Sequence, residues 1–151
     1  MSKTVFIGSD HAGVALKAAL CIHMTNAGHT VIDLGPADTT SVDYPDFAKA
    51  VCQKVLATPE AAGILVCGTG IGMSMAANRM PGIRAALCLN EYLARMTRMH
   101  NDANVICLGE RVVGQGLAAS IADVFLDTPF EGGRHQRRVD LIETCGISCG
   151  A

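Results

Sequence analysis

The chain has 151 residues, a length that suits one domain spanning 1–151. Half of it is hydrophobic, only 4% is aromatic and Trp is absent, so Ala, Val, Ile, Leu and Met must supply the core. A formal net charge of −2 is too balanced for general nucleic-acid binding, and no apolar run approaches the roughly 18 residues of a membrane span.

The first residues, MSKTVFIGSD, hold one Lys and a brief apolar run, which is not the pattern of a signal peptide. The expected location is the cytoplasm. Thr4–Ser9 reads as a strand, and Ala12–Asn26 as a helix stopped by Gly28. Thr30–Leu34 is the second strand, followed by a helix over Phe47–Leu56 entered through Tyr44-Pro45-Asp46. The third strand, Gly63–Cys67, leads to a helix over Met73–Arg79. Ile83–Leu87 and Asn104–Leu108 are strands on either side of a helix over Glu91–His100, and helices over Leu117–Leu126 and Arg137–Thr144 close the chain. The strand runs are short, continuous and rich in Val and Ile, as strands buried on both faces are. Regular alternation predicts an α/β fold: a Rossmann-like three-layer α/β/α sandwich on a five-stranded parallel sheet, in Rossmann-like or flavodoxin-like order. In such sheets ligands bind beyond the carboxyl ends of the strands.

Seven cysteines, Cys21, Cys52, Cys67, Cys88, Cys107, Cys145 and Cys149, form no CxxC pair, and most lie in apolar runs. A cytosolic chain keeps them as buried thiols. Cys67 differs because it ends a strand and opens Cys67-Gly68-Thr69-Gly70-Ile71-Gly72-Met73-Ser74. Three alternating glycines let the backbone approach a ligand, and free amides at the following helix start favour an anion. A ligand-free tight turn has the same pattern. The spacing GxGxG is not the dinucleotide GxGxxG, and a Walker lysine is absent. A thiol beside a helix start tends towards the thiolate, which suits a base or nucleophile, but a packed core thiol would read identically.

Asp10-His11 follows the first strand and suits acid–base work, although Asp10 also reads as the N-cap of the next helix. His100-Asn101-Asp102 follows the fourth helix and reads equally as an ordinary turn. Arg134 and Arg138, four apart, share a helical face. They form either a phosphate clamp or a solvated basic patch. Arg111, after the fifth strand, is another candidate at the ligand end. The five His residues show no metal-ligand spacing such as HExxH, so no metal is expected.

Together the segments GSDHAG, DYPD, CGTGIGMSMAANR, HNDANVICLGER and FEGGRHQRR resemble type B ribose-5-phosphate isomerase, in the family that also holds the galactose-6-phosphate isomerase subunits. The similarity runs from Val5 to about Val139. It implies aldose–ketose isomerisation of a sugar phosphate, ribose 5-phosphate to ribulose 5-phosphate, through a cis-enediolate and without a cofactor. Cys67 matches the base that moves a proton between carbons 1 and 2; members lacking this Cys use a carboxylate instead. Thr69 matches the residue assisting at the enediol oxygens, and the loop amides from about Gly68 through Gly70 and Gly72 to Ser74 stabilise the enediolate. His100 matches the ring-opening residue, with Asp10 helping to hold the substrate. His11, Arg134 and Arg138 match phosphate-binding positions. Arg111 and Asn101 match positions reaching the site, and Tyr44 one lining it. The resemblance also implies a homodimer or dimer of dimers, with the His100 segment crossing to the partner's site. Galactose 6-phosphate, allose 6-phosphate and four-carbon sugar phosphates are alternative substrates for the same chemistry. A phosphosugar-binding module without catalysis would not need Cys67, Thr69 and His100 together.

Overall fold

The computed structural model describes residues 1–145. Cys149 lies outside them. The strands are β1 (Thr4–Ser9), β2 (Thr30–Asp33), β3 (Ala62–Cys67), β4 (Ala85–Leu87) and β5 (Val105–Gly109). The helices are α1 (Val14–Asn26), α2 (Tyr44–Ala57), α3 (Ile71–Ala77), α4 (Glu91–Asn101), α5 (Gln115–Asp127) and α6 (Arg134–Thr144), with a short 3-10 turn, His11–Gly13, before α1. Helices α2 and α6 begin three residues before their first apolar repeat suggests. Pro45 starts α2, because its fixed φ and missing N–H suit the first helical turn.

All strand pairs are parallel, in the order β2-β1-β3-β5-β4. The β2-β1-β3 half follows the flavodoxin-like order, whereas the last two strands are exchanged. From β3 the chain passes to the edge, lays down β4 and returns to insert β5. The strand expected over Ile83–Leu87 is shorter, because the Ile83 N–H closes a turn on Met80 O and the Arg84 N–H goes to Asn104 Oδ1.

Residues alternate between two buried clusters, one on each face of the sheet. Val5, Ile7, Ile64, Val66, Ile106 and Leu108 pack with Leu16 and Leu20 of α1 and Ile121 and Phe125 of α5. Phe6, Leu65, Cys67, Val105 and Cys107 pack with Val51 and Val55 of α2 and Met73 of α3. Burial on both faces explains the continuous apolar runs. It also leaves the strand ends as the places where polar residues can gather.

Helix α1 ends as Gly28 predicts. Gly28 has φ +91°, and the Gly28 and His29 N–H groups return to Thr25 O and Met24 O. The chain reverses after β1, where β2 lies on one side and β3 on the other, so the carboxyl ends of β1 and β3 flank the switch point of the sheet. The Asp10 N–H donates to Val66 O at 3.0 Å, holding these two ends together. Among the described residues no helix is long and apolar enough to cross a membrane.

Candidate active site

At the switch point Cys67, the last residue of β3, is 5% exposed and directed to the α2–α3 side. The Gly70 N–H donates to its Sγ at 3.1 Å. Gly70 can make that turn because it sits at φ +80°, and its hydrogen side faces Leu87, where a Cβ would lie 2.6 Å from Cδ1. The loop is pressed against the end of β5. A Cβ on Gly109 would lie 2.6 Å from the Thr69 carbonyl carbon, so only glycine leaves room there. Thr69 Oγ1 accepts from the Ile71 N–H at 3.3 Å, which curls the loop into α3.

Ser74 is engaged internally. Its amide bonds Gly70 O at 3.1 Å and its hydroxyl donates to Ile71 O at 2.7 Å. The loop amides expected to reach a ligand therefore stop short of Ser74. Gly72 and Met73, in the first helical turn, have no carbonyl partner by position.

The surrounding candidates converge on this loop. Tyr44, at the start of α2, lies over Gly72, where a Cβ would meet the ring at 2.8 Å. The Arg111 side chain lies along Gly68, with Nη1 3.4 Å from a Cβ placed there. Asp10 Oδ1 accepts from the Ala12 N–H at 2.9 Å, so Asp10 does cap the turn after β1 while remaining beside the site at 8% exposure. His11 Nδ1 accepts from the Val42 N–H at 3.3 Å, which ties the β2–α2 loop to the same place.

His100, Asn101, Arg134 and Arg138 are elsewhere. Helix α4 starts at the carboxyl side of β4 and returns to the amino side of β5, so its last turn lies at the opposite end of the sheet. Eleven helical residues rise about 16 Å, which sets the scale of the separation. Helix α5 makes the same return, and the segment after it is fastened to α4 by the Glu131 N–H donating to Met99 O at 3.1 Å. This brings the start of α6 beside His100. The His100 and His135 rings stack at 4.2 Å with 10° between planes, and Glu131 Oε2 lies 3.4 Å from His135 Nε2 and 4.0 Å from His100 Nε2. Arg134 Nε donates to His135 Nε2 at 3.4 Å. His135 is 5% exposed; burial first, then the neighbouring His100 and Arg134, hold its pKa below the usual imidazole value. Arg134 and Arg138 are both exposed on the same turn, with the Arg134 side chain folded back to His135.

Four residues at this end, Arg84, Arg98, Glu131 and His135, were not singled out by the sequence reading. Arg98 reaches Asp102 Oδ1, Ala103 O and Thr128 O, and Arg84 reaches Asn101 O, Asp102 and Glu143. They clamp the end of α4, where Asp102 takes a left-handed conformation at φ +47°. Glu131 and His135 stand on either side of the Gly132-Gly133 turn that leads into α6.

The comparisons agree with this architecture. The profile of a family described as Ribose/Galactose Isomerase matches residues 5–142. Ribose-5-phosphate isomerase B of Escherichia coli K12 is 45% identical over 140 residues, covering 93% of this chain and 94% of that protein. The crystal structure of a ribose 5-phosphate isomerase from Thermotoga maritima superposes with a TM-score of 0.92 at 49% identity, covering 95% of this chain and 99% of that one. Ribose-5-phosphate isomerase B of Clostridium thermocellum gives 0.91 at 51% identity, with 93% and 95% covered. With the Cys67 loop at the switch point and a match over nearly its whole length, this chain belongs to the ribose/galactose isomerase family.

Proposed function

We propose that the protein interconverts ribose 5-phosphate and ribulose 5-phosphate, with Cys67 as the base. The observation that carries this reading is the Gly70 N–H directed at the Cys67 sulfur within a glycine loop at the switch point of the sheet. A proton beside a carbonyl is weakly acidic, so its removal needs both a positioned base and donors aimed at the oxygens where charge develops. The Cys67 thiolate takes the proton from carbon 2, and the electron pair moves onto the carbonyl oxygen, giving the cis-enediolate. The loop amides meet that charge, and Thr69 passes a proton between the two oxygens. The resulting thiol returns its proton at carbon 1. Asp10 holds the sugar hydroxyls, and Tyr44 closes one wall. The chemistry moves only protons and needs no redox cofactor.

Most pentose phosphate is cyclic, so a second acid–base group must open the ring, and His100 is the candidate. In one chain it lies at the far end of the sheet from Cys67, farther than a five-carbon sugar phosphate reaches. A homodimer, or a dimer of dimers, resolves this by setting His100 of the partner subunit over the Cys67 loop. The phosphate would then lie between His11 and Arg111 of one chain and the α6 arginines of the other. Exposed Ile71, Met75, Leu89, Tyr92 and Val112 near the loop are apolar surface that such an interface would cover. A cytoplasmic location accords with the six free thiols among the described residues.

Two experiments test the reading. The first is formation of ribulose 5-phosphate from ribose 5-phosphate with chelator present and no cofactor added; rapid turnover is expected. Turnover of only four- or six-carbon sugar phosphates would replace the substrate, and no turnover on any would leave a phosphosugar-binding module. The second mixes two inactive variants, Cys67→Ala and His100→Ala. Random exchange into dimers with shared sites restores about a quarter of wild-type activity, since half the dimers are mixed and each holds one intact site. Sites confined to one chain would restore none.

A further inference from the structure

We propose that His100, Glu131 and His135 form an accessory site for a borderline divalent transition-metal cation of the Zn2+ class, and that a cation bound there stops turnover by occupying His100. The binding half rests on geometry alone; the inhibitory half also rests on the ring-opening role proposed for His100.

The three side chains each offer one donor atom, and those atoms lie within 4.8 Å of one another. In a tetrahedral zinc site with bonds of ~2.0–2.1 Å, neighbouring donors stand about 3.3 Å apart. His135 Nε2 and Glu131 Oε2 already meet that spacing at 3.4 Å. His100 Nε2 lies 4.0 Å from the same oxygen, so it must close on that donor and on His135 for all three to share one ion. The two imidazoles are stacked almost in parallel, so the pair must open beyond its present 10° for the lone pairs to converge.

His135 Nε2 lies 3.4 Å from both Arg134 Nε and Glu131 Oε2, so it is the ring nitrogen that faces the cluster. His135 is buried, which holds one donor in place, and the Glu131 backbone is pinned to α4 through its amide. His100 and Glu131 side chains are 39% and 43% exposed, which leaves a path for a cation and a fourth position for water. Two imidazoles and one carboxylate suit Zn2+, Co2+, Ni2+ or Cu2+, and are too poor in oxygen for Mg2+ or Ca2+. Arg134 opposes binding unless its flexible side chain turns outward, so the site should load and empty reversibly rather than hold a resident ion.

The test is titration of Co2+ into the metal-free full chain, followed by optical absorbance, then Zn2+ competition. The expected result is one Co2+ per chain with tetrahedral d–d bands, displaced by Zn2+ and weakened at least ~10-fold in Glu131→Gln. Glu131 is exposed, so that variant should fold; circular dichroism checks it. Thiolate-to-cobalt charge-transfer bands would show that cysteines hold the metal and would overturn the proposal, as would unchanged binding in Glu131→Gln or no saturable binding. Zn2+ should also reduce isomerase turnover reversibly on chelation in wild type, and do so far less in Glu131→Gln. Binding without inhibition would overturn the inhibitory half. A metal-free enzyme inactive on every sugar phosphate would overturn the isomerase reading and leave the Co2+ result standing.

Discussion

At the carboxyl end of the sheet the side chains proposed to face the substrate stand around a loop whose shape is set by backbone packing. A positive-φ Gly70 and a side-chain-free Gly109 hold the Cys67–Ser74 loop against β5. At the amino end the corresponding groups are side chains: His100, Arg134, His135 and Arg138 on the ends of two helices, and Glu131 in the segment that joins α5 to α6. Backbone donors fixed by close packing cost little to orient when charge develops, which suits stabilisation of a reaction intermediate. Side chains can adjust, which suits gripping a phosphate and moving ring protons. On the proposed reading, proton transfer between the carbons belongs to the rigid end, and ring opening with part of the phosphate grip to the adaptable one. Substitutions at the two ends should fail in different ways.

The largest effect is expected from Cys67→Ala. Loss of a positioned base lowers turnover by ~10³-fold or more, while the fold and the binding of a phosphosugar persist. Turnover and calorimetric titration with a non-isomerisable sugar phosphate check both halves. Wild-type turnover in this variant would remove the chemical role from the rigid end altogether. Next comes Gly109→Ala. The added methyl meets Thr69 backbone rather than a flexible side chain, so the loop must move. Overpacking of this kind costs about 1–3 kcal/mol, and a displacement near 1 Å about 10²-fold in turnover. A denaturant curve and kcat measure the two. Normal kcat would mean that the close approach is packing only.

Substitution of the α6 arginines at the other end should leave kcat and change capture. Arg134→Ala with Arg138→Ala removes exposed cations, so stability should hold. The loss of charge-assisted bonds to a phosphate raises KM by about 10- to 100-fold. An unchanged KM would refute the clamp and make these arginines a solvated patch.

The rigid end was the more readable one. Its cysteine, Thr69 and the loop glycines share one short window that carried the local geometry, and only the close approach of Gly109 and the engagement of Ser74 had to come from contacts. The strands were readable because burial on both faces leaves continuous Val- and Ile-rich runs. Ile83 misled for the same reason: it is buried, yet it closes a turn, and burial rather than pairing made it apolar. Strand order was not readable, because periodicity carries no information about which neighbour a strand chooses. Nor was the amino-end cluster. His100 and His135 are far apart in sequence, and nothing joined them until α4 and α5 had both returned to the same side of the sheet. Arg84 and Arg98 carried no pattern at all, since what they do is bond the carbonyls of a helix end.

The smallest expected effect sharpens the contrast from within the rigid half. Cys67 ends its strand where the Gly70 amide can meet its sulfur, whereas Cys52, Cys88 and Cys107 lie in the core without such a donor. Burial pushes the Cys52 thiol up to about 11 and the Cys88 thiol to about 12, and it raises Cys107 well above its ordinary value, with nearby thiols adding to the shift. An acid whose folded value lies above its unfolded value keeps its proton longer in the folded chain. The stability it contributes is complete below the unfolded thiol value of 9.0 and is lost as pH rises through the folded values. Urea midpoints should therefore hold between pH 7 and 8 and decline above about 9. Lysines and tyrosines titrate in the same range, so the informative quantity is the difference between wild type and Cys88→Ala. The variant starts less stable because it leaves a small cavity, but its alkaline decline should be shallower by one thiol's share. Parallel declines would mean that Cys88 ionises as freely in the core as in the unfolded chain.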